Sequence, residues 1–250
     1  MHQLVKEHSV YSEITVYESN QLYGKKGKYR FLQFSDDAIQ GALNLKEPKS
    51  IVLEYPQAII HLMEHNNPAF EHVFMIGHGI GTIPAHYTHK RFKIAEIDEK
   101  VVEISRSYFD YRGNNVAIGD GRELLGNEEP GTHDYIVLDA FTKAGTPTHL
   151  TTLEFFQQCR DKLGARGVLL MNLTGRAQND GLIHAINTTL GEVFPYTKAF
   201  ELFRESADEQ RNIIIAGGCI NIEYEAGAMA GFAEMELANG YILRDKQQPG

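Results

Sequence analysis

The sequence predicts an α/β protein, with a mostly parallel central sheet preceded by an antiparallel β-subdomain. Three observations predict it. Short unbroken apolar runs, of which Val73-Phe74-Met75-Ile76 is the first, alternate with segments of helical spacing; such runs suit parallel strands buried on both faces. The first third of the chain instead shows short β-type runs separated by turn residues. The length of 250 residues, 42% of them hydrophobic, is enough for one such domain with a small appendage.

Taken in order, Val10 to Glu18 alternates around Ile14 and Val16, and Tyr29 to Phe34 and Ala38 to Leu43 are two further runs. Ser35-Asp36-Asp37 supplies turn chemistry for a hairpin between the last two. The basic stretch from Gly24 to Arg30 reads as an exposed turn. Pro56 to Met63 has helical spacing, and Asn66-Asn67-Pro68 ends it. The strand of Val73 to Ile76 is followed by four more: Phe92 to Ile97, Val116 to Ile118, Tyr135 to Leu138 and Val168 to Asn172. Asp98 caps a helix through Phe109, with Val101, Ile104 and Tyr108 on one face. Thr151 and Glu154 form a capping box for the next helix, and Gly164 suits its end. Thr197 to Leu202 and Ile213 to Gly217 form a final pair of hairpin type. This order places the β-subdomain at residues 1–55 and the α/β domain at 56–250.

Composition excludes several classes. With 24 basic and 33 acidic residues the formal charge is −9, which disfavours nucleic acid and anionic membranes and favours cationic substrates. No apolar run approaches the ~20 residues of a membrane helix, and Met1 to Glu7 lacks the pattern of a secretory signal. Cys159 and Cys219 form no C-x-x-C and no disulfide framework, so a cytoplasmic location is expected. His78, His86 and His89 lie close in sequence, but no Cys or second carboxylate is spaced with them as ligands, and no metal is expected.

Glycines and acids stand where the predicted parallel strands end. Gly77-His78-Gly79-Ile80-Gly81-Thr82 follows the first strand, and Glu96, 19 residues after Gly77, closes the second. Glycines let a ligand approach the main chain, and a carboxylate at the next strand tip can accept from ribose hydroxyls; a tight turn with a surface Glu is the alternative. Asp120, within Gly119-Asp120-Gly121-Arg122, can accept from an adenine amino group or cap the following helix. Asp139-Ala140-Phe141 closes the fourth strand. Three acids on the carboxyl edge of one sheet are poorly explained by packing.

Together the run from Val73 to Asp98, the Gly119-Asp120-Gly121-Arg122-Glu123 segment and Tyr135-Ile136-Val137-Leu138-Asp139 resemble spermidine synthase and its aminopropyltransferase relatives. That family has a Rossmann-like sheet of the class I methyltransferase type. The similarity runs from about Tyr11 to Ile222, and the stretch from Asp139 through Pro147-Thr148-His149-Leu150 to Phe155 is similar to the spermidine synthase-like subgroup. The resemblance implies that Glu96 holds the ribose, and Asp120 with Gly121 the adenine, of decarboxylated S-adenosylmethionine or its product methylthioadenosine. Gly77 and Gly79 would border this co-substrate, with Gln40 near the sulfonium. Asp139 would be the base that deprotonates a putrescine-like amine, assisted by Tyr55. No tightly bound cofactor is implied, and relatives pair as homodimers through the N-terminal region.

This sequence departs from the family at three points. Ile80 stands where the glycine loop carries an Asp for the donor's amine, Thr142 replaces a second Asp, and Pro56 replaces a polar residue after the Tyr. Each lost carboxylate–ammonium contact is worth about 1.5–3 kcal/mol. The adenosine half is retained and the polyamine half altered, with Glu54 or Asp37 as candidate substitutes for the missing acid. Methyl transfer from intact S-adenosylmethionine, which has no use for an Asp at Ile80, and non-catalytic nucleoside binding are the alternatives. Thr142 to Pro147 is a candidate lid, with His149 packing or capping it.

Overall fold

The computed structural model describes residues 1–34, 39–142, 145–176, 180–203 and 209–246. The Ser35-Asp36-Asp37 turn and the Lys143-Ala144 portion of the candidate lid lie outside the described residues.

Two sheets form the framework. The first is antiparallel, in the order β1 (His2–His8), β2 (Glu13–Leu22), β3 (Lys25–Phe34), β4 (Ile39–Asn44). Its period-two pattern sorts side chains to two faces. Ile14, Val16 and Leu32 are buried on one, and pack with Ile80, Val101, Ile104 and Phe109. Phe31, Tyr29 and Ala42 lie in a separate cluster with Leu53. The small sheet is thereby fastened to α3 (Glu99–Tyr108) and to the glycine loop.

The second sheet has eight strands: β5 (His72–Ile76), β6 (Arg91–Glu96), β7 (Val116–Ile118), β8 (His133–Leu138), β9 (Leu163–Gly175), β10 (Tyr196–Leu202), β11 (Arg211–Gly218) and β12 (Phe232–Met235). Their order is β12-β10-β11-β9-β8-β5-β6-β7. Pairing is parallel from β9 through β8, β5 and β6 to β7, and antiparallel from β9 outward to β12. Strand β5 shows why its sequence is continuously apolar. Val73 and Met75 enter the core shared with Ile59, Leu62 and Met63 of α1 (Glu54–Asn66). Phe74 and Ile76 enter the opposite core, with Phe155 and Phe156 of α5 (Leu153–Lys162) and Ile186 of α6 (Gly181–Gly191). Each such buried side chain contributes about 1.5–3 kcal/mol. Short helices α2 (Thr82–His86) and α4 (Gly121–Gly126) follow β5 and β7.

Several local readings are corrected. Strand β1 was not expected, and its only partly buried apolar residues are Leu4 and Val5. Val10 is exposed in a turn where Ser9 Oγ accepts from the N–H groups of Tyr11 and Ser12, so β2 begins at Glu13. The basic stretch is strand rather than turn from Lys25 onward; the turn is Tyr23-Gly24, both at positive φ. Asp98 caps α3 as expected, its side chain accepting from the Lys100 N–H. The cap of α5, however, is Thr152, one residue after the expected Thr151, because Thr151 Oγ1 donates to the Thr148 carbonyl. Glu154 accepts from the Asp245 N–H instead of closing a capping box. Helix α5 stops at Lys162 and β9 starts at once, so Gly164 is a strand residue. Strands β10 and β11 pair antiparallel, as read. Among the described residues no helix is long and apolar enough to cross a membrane.

Candidate active site

Strand order reverses around β5, which lies between β6 and β8, and open α/β sheets hold ligands at the crevice such a reversal creates. A cavity of about 260 Å³ opens there. It is lined by all eight residues singled out from the sequence: Gln40, Tyr55, Gly77, Gly79, Glu96, Asp120, Gly121 and Asp139. Gln40 arrives from β4 of the small sheet and Tyr55 from the first turn of α1.

The glycines act by absence. Gly77 has φ 95°, and a Cβ there would fall 2.0 Å from the Asp139 carbonyl oxygen. A Cβ on Gly121 would fall 2.3 Å from Ile76 Cγ2. Close seating of α4 and the β8 tip against β5 therefore requires both.

Glu96 is buried, at 8% exposure, which excludes the surface-residue alternative. Its Oε2 accepts from the His78 N–H and its Oε1 from the Asp98 N–H, each at 2.9 Å. Burial raises its pKa while these amide bonds oppose the rise. Each oxygen keeps a lone pair for a further donor. Asp120 combines the two roles considered for it. Oδ1 caps α4, accepting from the N–H groups of Arg122 at 2.8 Å and Glu123 at 3.1 Å. Oδ2 meets Nε2 of His149, another lining residue, at 2.8 Å. His78 is buried and its Nε2 lies 2.8 Å from Ser105 Oγ. Ser105 donates its own proton to the Val102 carbonyl, so His78 Nε2 carries the hydrogen and Nδ1 is a bare, unpartnered acceptor. Burial, helped by Arg106, pushes the His78 pKa down to about 4.

The other end centres on Asp139. Its Oδ1 accepts from Asn172 Nδ2 at 2.8 Å, and Asn172 Oδ1 accepts from Asn212 Nδ2 at 2.9 Å. The Tyr55 hydroxyl donates to the Gln40 carbonyl at 3.4 Å, and Tyr55 and Asp139 both line the cavity. Burial pushes the Asp139 pKa up to about 6, with the Asn172 bond and the neighbouring Tyr55 hydroxyl opposing it. Burial, and then the Asp139 charge, hold Tyr55 well above the ordinary phenol range, so it remains a donor. A second cavity, of about 880 Å³, adjoins here and shares Gln40, Tyr55, Phe141 and Thr142 with the first. Asn172 and Asn212 line it and were not foreseen as site residues. The available signal was a polar residue closing the apolar run of Val168 to Met171; Asn172 is 1% exposed.

The departures from the family pattern lie as follows. Ile80 does not line the first cavity; it is buried between the small sheet and α3. Thr142 lines both cavities and turns its N–H and Oγ1 to the Gly145 carbonyl. Pro56 is buried in the first turn of α1, where a missing N–H breaks no helix bond. Glu54 lines only the second cavity, and Asp37 lies outside the described residues. Among the described residues no three His, Cys, Asp or Glu side chains gather as a metal site.

Against known proteins, the family model described as "Spermine/spermidine synthase domain" matches residues 53–218. A polyamine aminopropyltransferase of Clostridium botulinum is 24% identical over 183 residues, covering 66% of this chain and 63% of that protein. The chain thus spans less than two thirds of that relative. Among solved structures, a probable spermidine synthase from Corynebacterium glutamicum superimposes with a TM-score of 0.77 at 20% identity, covering 88% of this chain and 81% of that one. Human methyltransferase-like protein 13 does so with a TM-score of 0.53 at 19% identity, covering 70% and 83%. These two likenesses establish a shared α/β fold.

Proposed function

This chain belongs to the spermine/spermidine synthase family, and we propose that it transfers the aminopropyl group of decarboxylated S-adenosylmethionine to a small, putrescine-like amine. The observation that carries this reading is Asp139, held by Asn172 beside Tyr55 where two cavities adjoin. One cavity would hold the nucleoside donor and the other the acceptor.

An amine reaches the site as an ammonium, which has no lone pair to attack with. Asp139 accepts one of its protons. The freed nitrogen then attacks the propyl carbon bonded to the sulfonium. The carbon–nitrogen bond forms as the carbon–sulfur bond breaks, and the pair stays on sulfur, leaving neutral methylthioadenosine. A carboxyl raised to about 6 is ionised at neutral pH and is a stronger base than an ordinary aspartate. Asn172 donates to it and fixes its orientation, and the Tyr55 hydroxyl would assist beside it. Glu96 would take the ribose hydroxyls, Asp120 with Gly121 the adenine, and Gln40 the region of the sulfonium; Gly77 and Gly79 admit the backbone contact. The amine specificity would be altered, because Ile80 is in the core and Asp98, which lines the donor cavity, is already engaged by Lys100 N–H and Ser9 Oγ.

The test is to incubate the protein with decarboxylated S-adenosylmethionine and a panel of di- and triamines, and to measure methylthioadenosine released. Release that depends on an amine supports the reading. Turnover of intact S-adenosylmethionine instead makes the protein a methyltransferase. Nucleoside binding without turnover of either makes it a non-catalytic binder.

A further inference from the structure

The base end of the donor cavity is held from outside by a chain of contacts that begins near Asp245. Asp245 takes Arg122 in a two-pronged pair, Nη1 to Oδ1 at 2.8 Å and Nη2 to Oδ2 at 2.6 Å. Thr152 Oγ1 donates to the same Oδ1 at 2.8 Å, and the Asp245 N–H donates to Glu154 Oε2 at 2.9 Å. Two side chains, Arg122 of α4 and Thr152 at the start of α5, therefore converge on one carboxylate whose own backbone N–H is tied to Glu154, which sets it apart from a lone surface ion pair. Arg122 Nη1 also donates to the His149 carbonyl at 3.0 Å. The His149 ring in turn meets Asp120 Oδ2 at 2.8 Å. Because two backbone amides occupy Asp120 Oδ1, Oδ2 is the oxygen left for a ligand, and His149 already shares it.

We infer that His149 is a specificity-determining residue that reads the nucleobase together with Asp120, and that Asp245 is the positioning residue that holds it there through Arg122. The inference rests on the donor-site reading above. An imidazole N–H on Oδ2 commits that oxygen to accepting, and leaves one lone pair for a second donor. A 6-amino purine supplies a donor and can share the oxygen with the imidazole. A 6-oxo purine brings an acceptor against an acceptor and is rejected. Without His149 the contact that fixes Oδ2 at the cavity is lost, and the discrimination weakens. Loss of Asp245 releases Arg122 and, through it, the segment carrying His149.

The experiment compares binding of methylthioadenosine and its 6-oxo analogue, methylthioinosine, to the full chain by calorimetry. The set is the unaltered protein, His149→Ala, His149→Gln, Asp245→Asn and Asp245→Glu, with thermal melts to confirm folding. The unaltered protein should prefer the amino nucleoside. His149→Ala and Asp245→Asn should each weaken its binding by about tenfold, the loss of one charge-assisted hydrogen bond, and should narrow the preference. Asp245→Glu should restore both, and His149→Gln, which keeps an N–H donor, should restore the preference. In turnover, the Asp245→Asn loss should fall on KM for the donor and leave kcat in place. Affinities unchanged in His149→Ala and Asp245→Asn, or weakened equally for both nucleosides, would overturn the inference. Failure of the unaltered protein to bind either nucleoside would overturn the donor-site reading and this inference with it.

Discussion

At the end of the cavity proposed for the nucleoside the acids are gripped by backbone amides; at the end proposed for the amine Asp139 is gripped by a side chain. Glu96 holds the N–H groups of His78 and Asp98, and Asp120 those of Arg122 and Glu123. Asp139 is held by Asn172, 33 positions along the chain, with Tyr55 lining the cavity beside it. An amide persists whatever residue carries it, whereas a side-chain contact disappears with one substitution. The first arrangement is built to last and the second is open to change. The departures from the family pattern do not touch Glu96 or Asp120: Thr142 lines both cavities, Pro56 is buried in α1 next to Tyr55, and Ile80 is in the core.

The sharpest way to break the comparison is Asp139→Asn. It removes the proposed base and should lower transfer by about 10²–10⁴-fold, while calorimetric affinity for methylthioadenosine stays within about twofold. A collapse of binding as well would mean that the two ends are one unit. Glu96→Ala is the converse. It strands two buried N–H groups at about 1–3 kcal/mol each, so the melting temperature and methylthioadenosine affinity should fall together. A variant that keeps its melting temperature would show that those amides find other partners.

The same division decides what was legible in the sequence. Asp120 stands between two glycines and within three residues of the amides it holds, and Glu96 closes the strand that follows the glycine loop, 19 residues after Gly77, so strand–glycine–acid spacing is enough to place them in a site. The parallel core was legible for a similar reason, since a strand buried on both faces, as Val73 to Ile76 is, must be apolar throughout. Asn172, Asn212 and the Asp245–Arg122 pair were not legible. Their roles exist only once β9 and β11 are paired and the segment around Asp245 has folded back on α4 and α5, and no local pattern reports contacts across 40 or 123 positions. Strand β1 was missed because its neighbours supply its pairing and its own residues bury little.

Asn172→Ala tests how far the amine end depends on its side-chain grip. Removing the Asn172 donor takes away the contact that most opposes desolvation of the Asp139 carboxylate, so its pKa should rise above about 6. The pH–rate profile should move to higher pH. Turnover should fall several-fold near pH 6 and recover at pH 9. An unshifted profile with uniformly lower turnover would mean that Asn172 only packs.

The smallest effect concerns stability, and it sets the two ends directly against each other. His78, at the nucleoside end, has a folded pKa of about 4 against an ordinary 6.5. Between those values the unfolded chain holds a proton that the folded chain does not, so stability is lost as pH falls from 6.5 toward 4. Asp139 has a folded pKa of about 6 against an ordinary 3.8. Between those values the folded chain holds the extra proton, so its contribution grows as pH falls over almost the same window. The two slopes oppose and should nearly cancel between about pH 4 and 6. Asp139→Asn removes only the second. Urea unfolding of that variant should therefore show stability dropping more steeply from pH 6 to pH 4 than in the unaltered protein, by up to about one proton's worth of slope, 1.4 kcal/mol per pH unit. Parallel curves for the two proteins would mean that Asp139 does not take up a proton in the folded state over that range. The carboxylate would then be a weaker base than its enclosure implies.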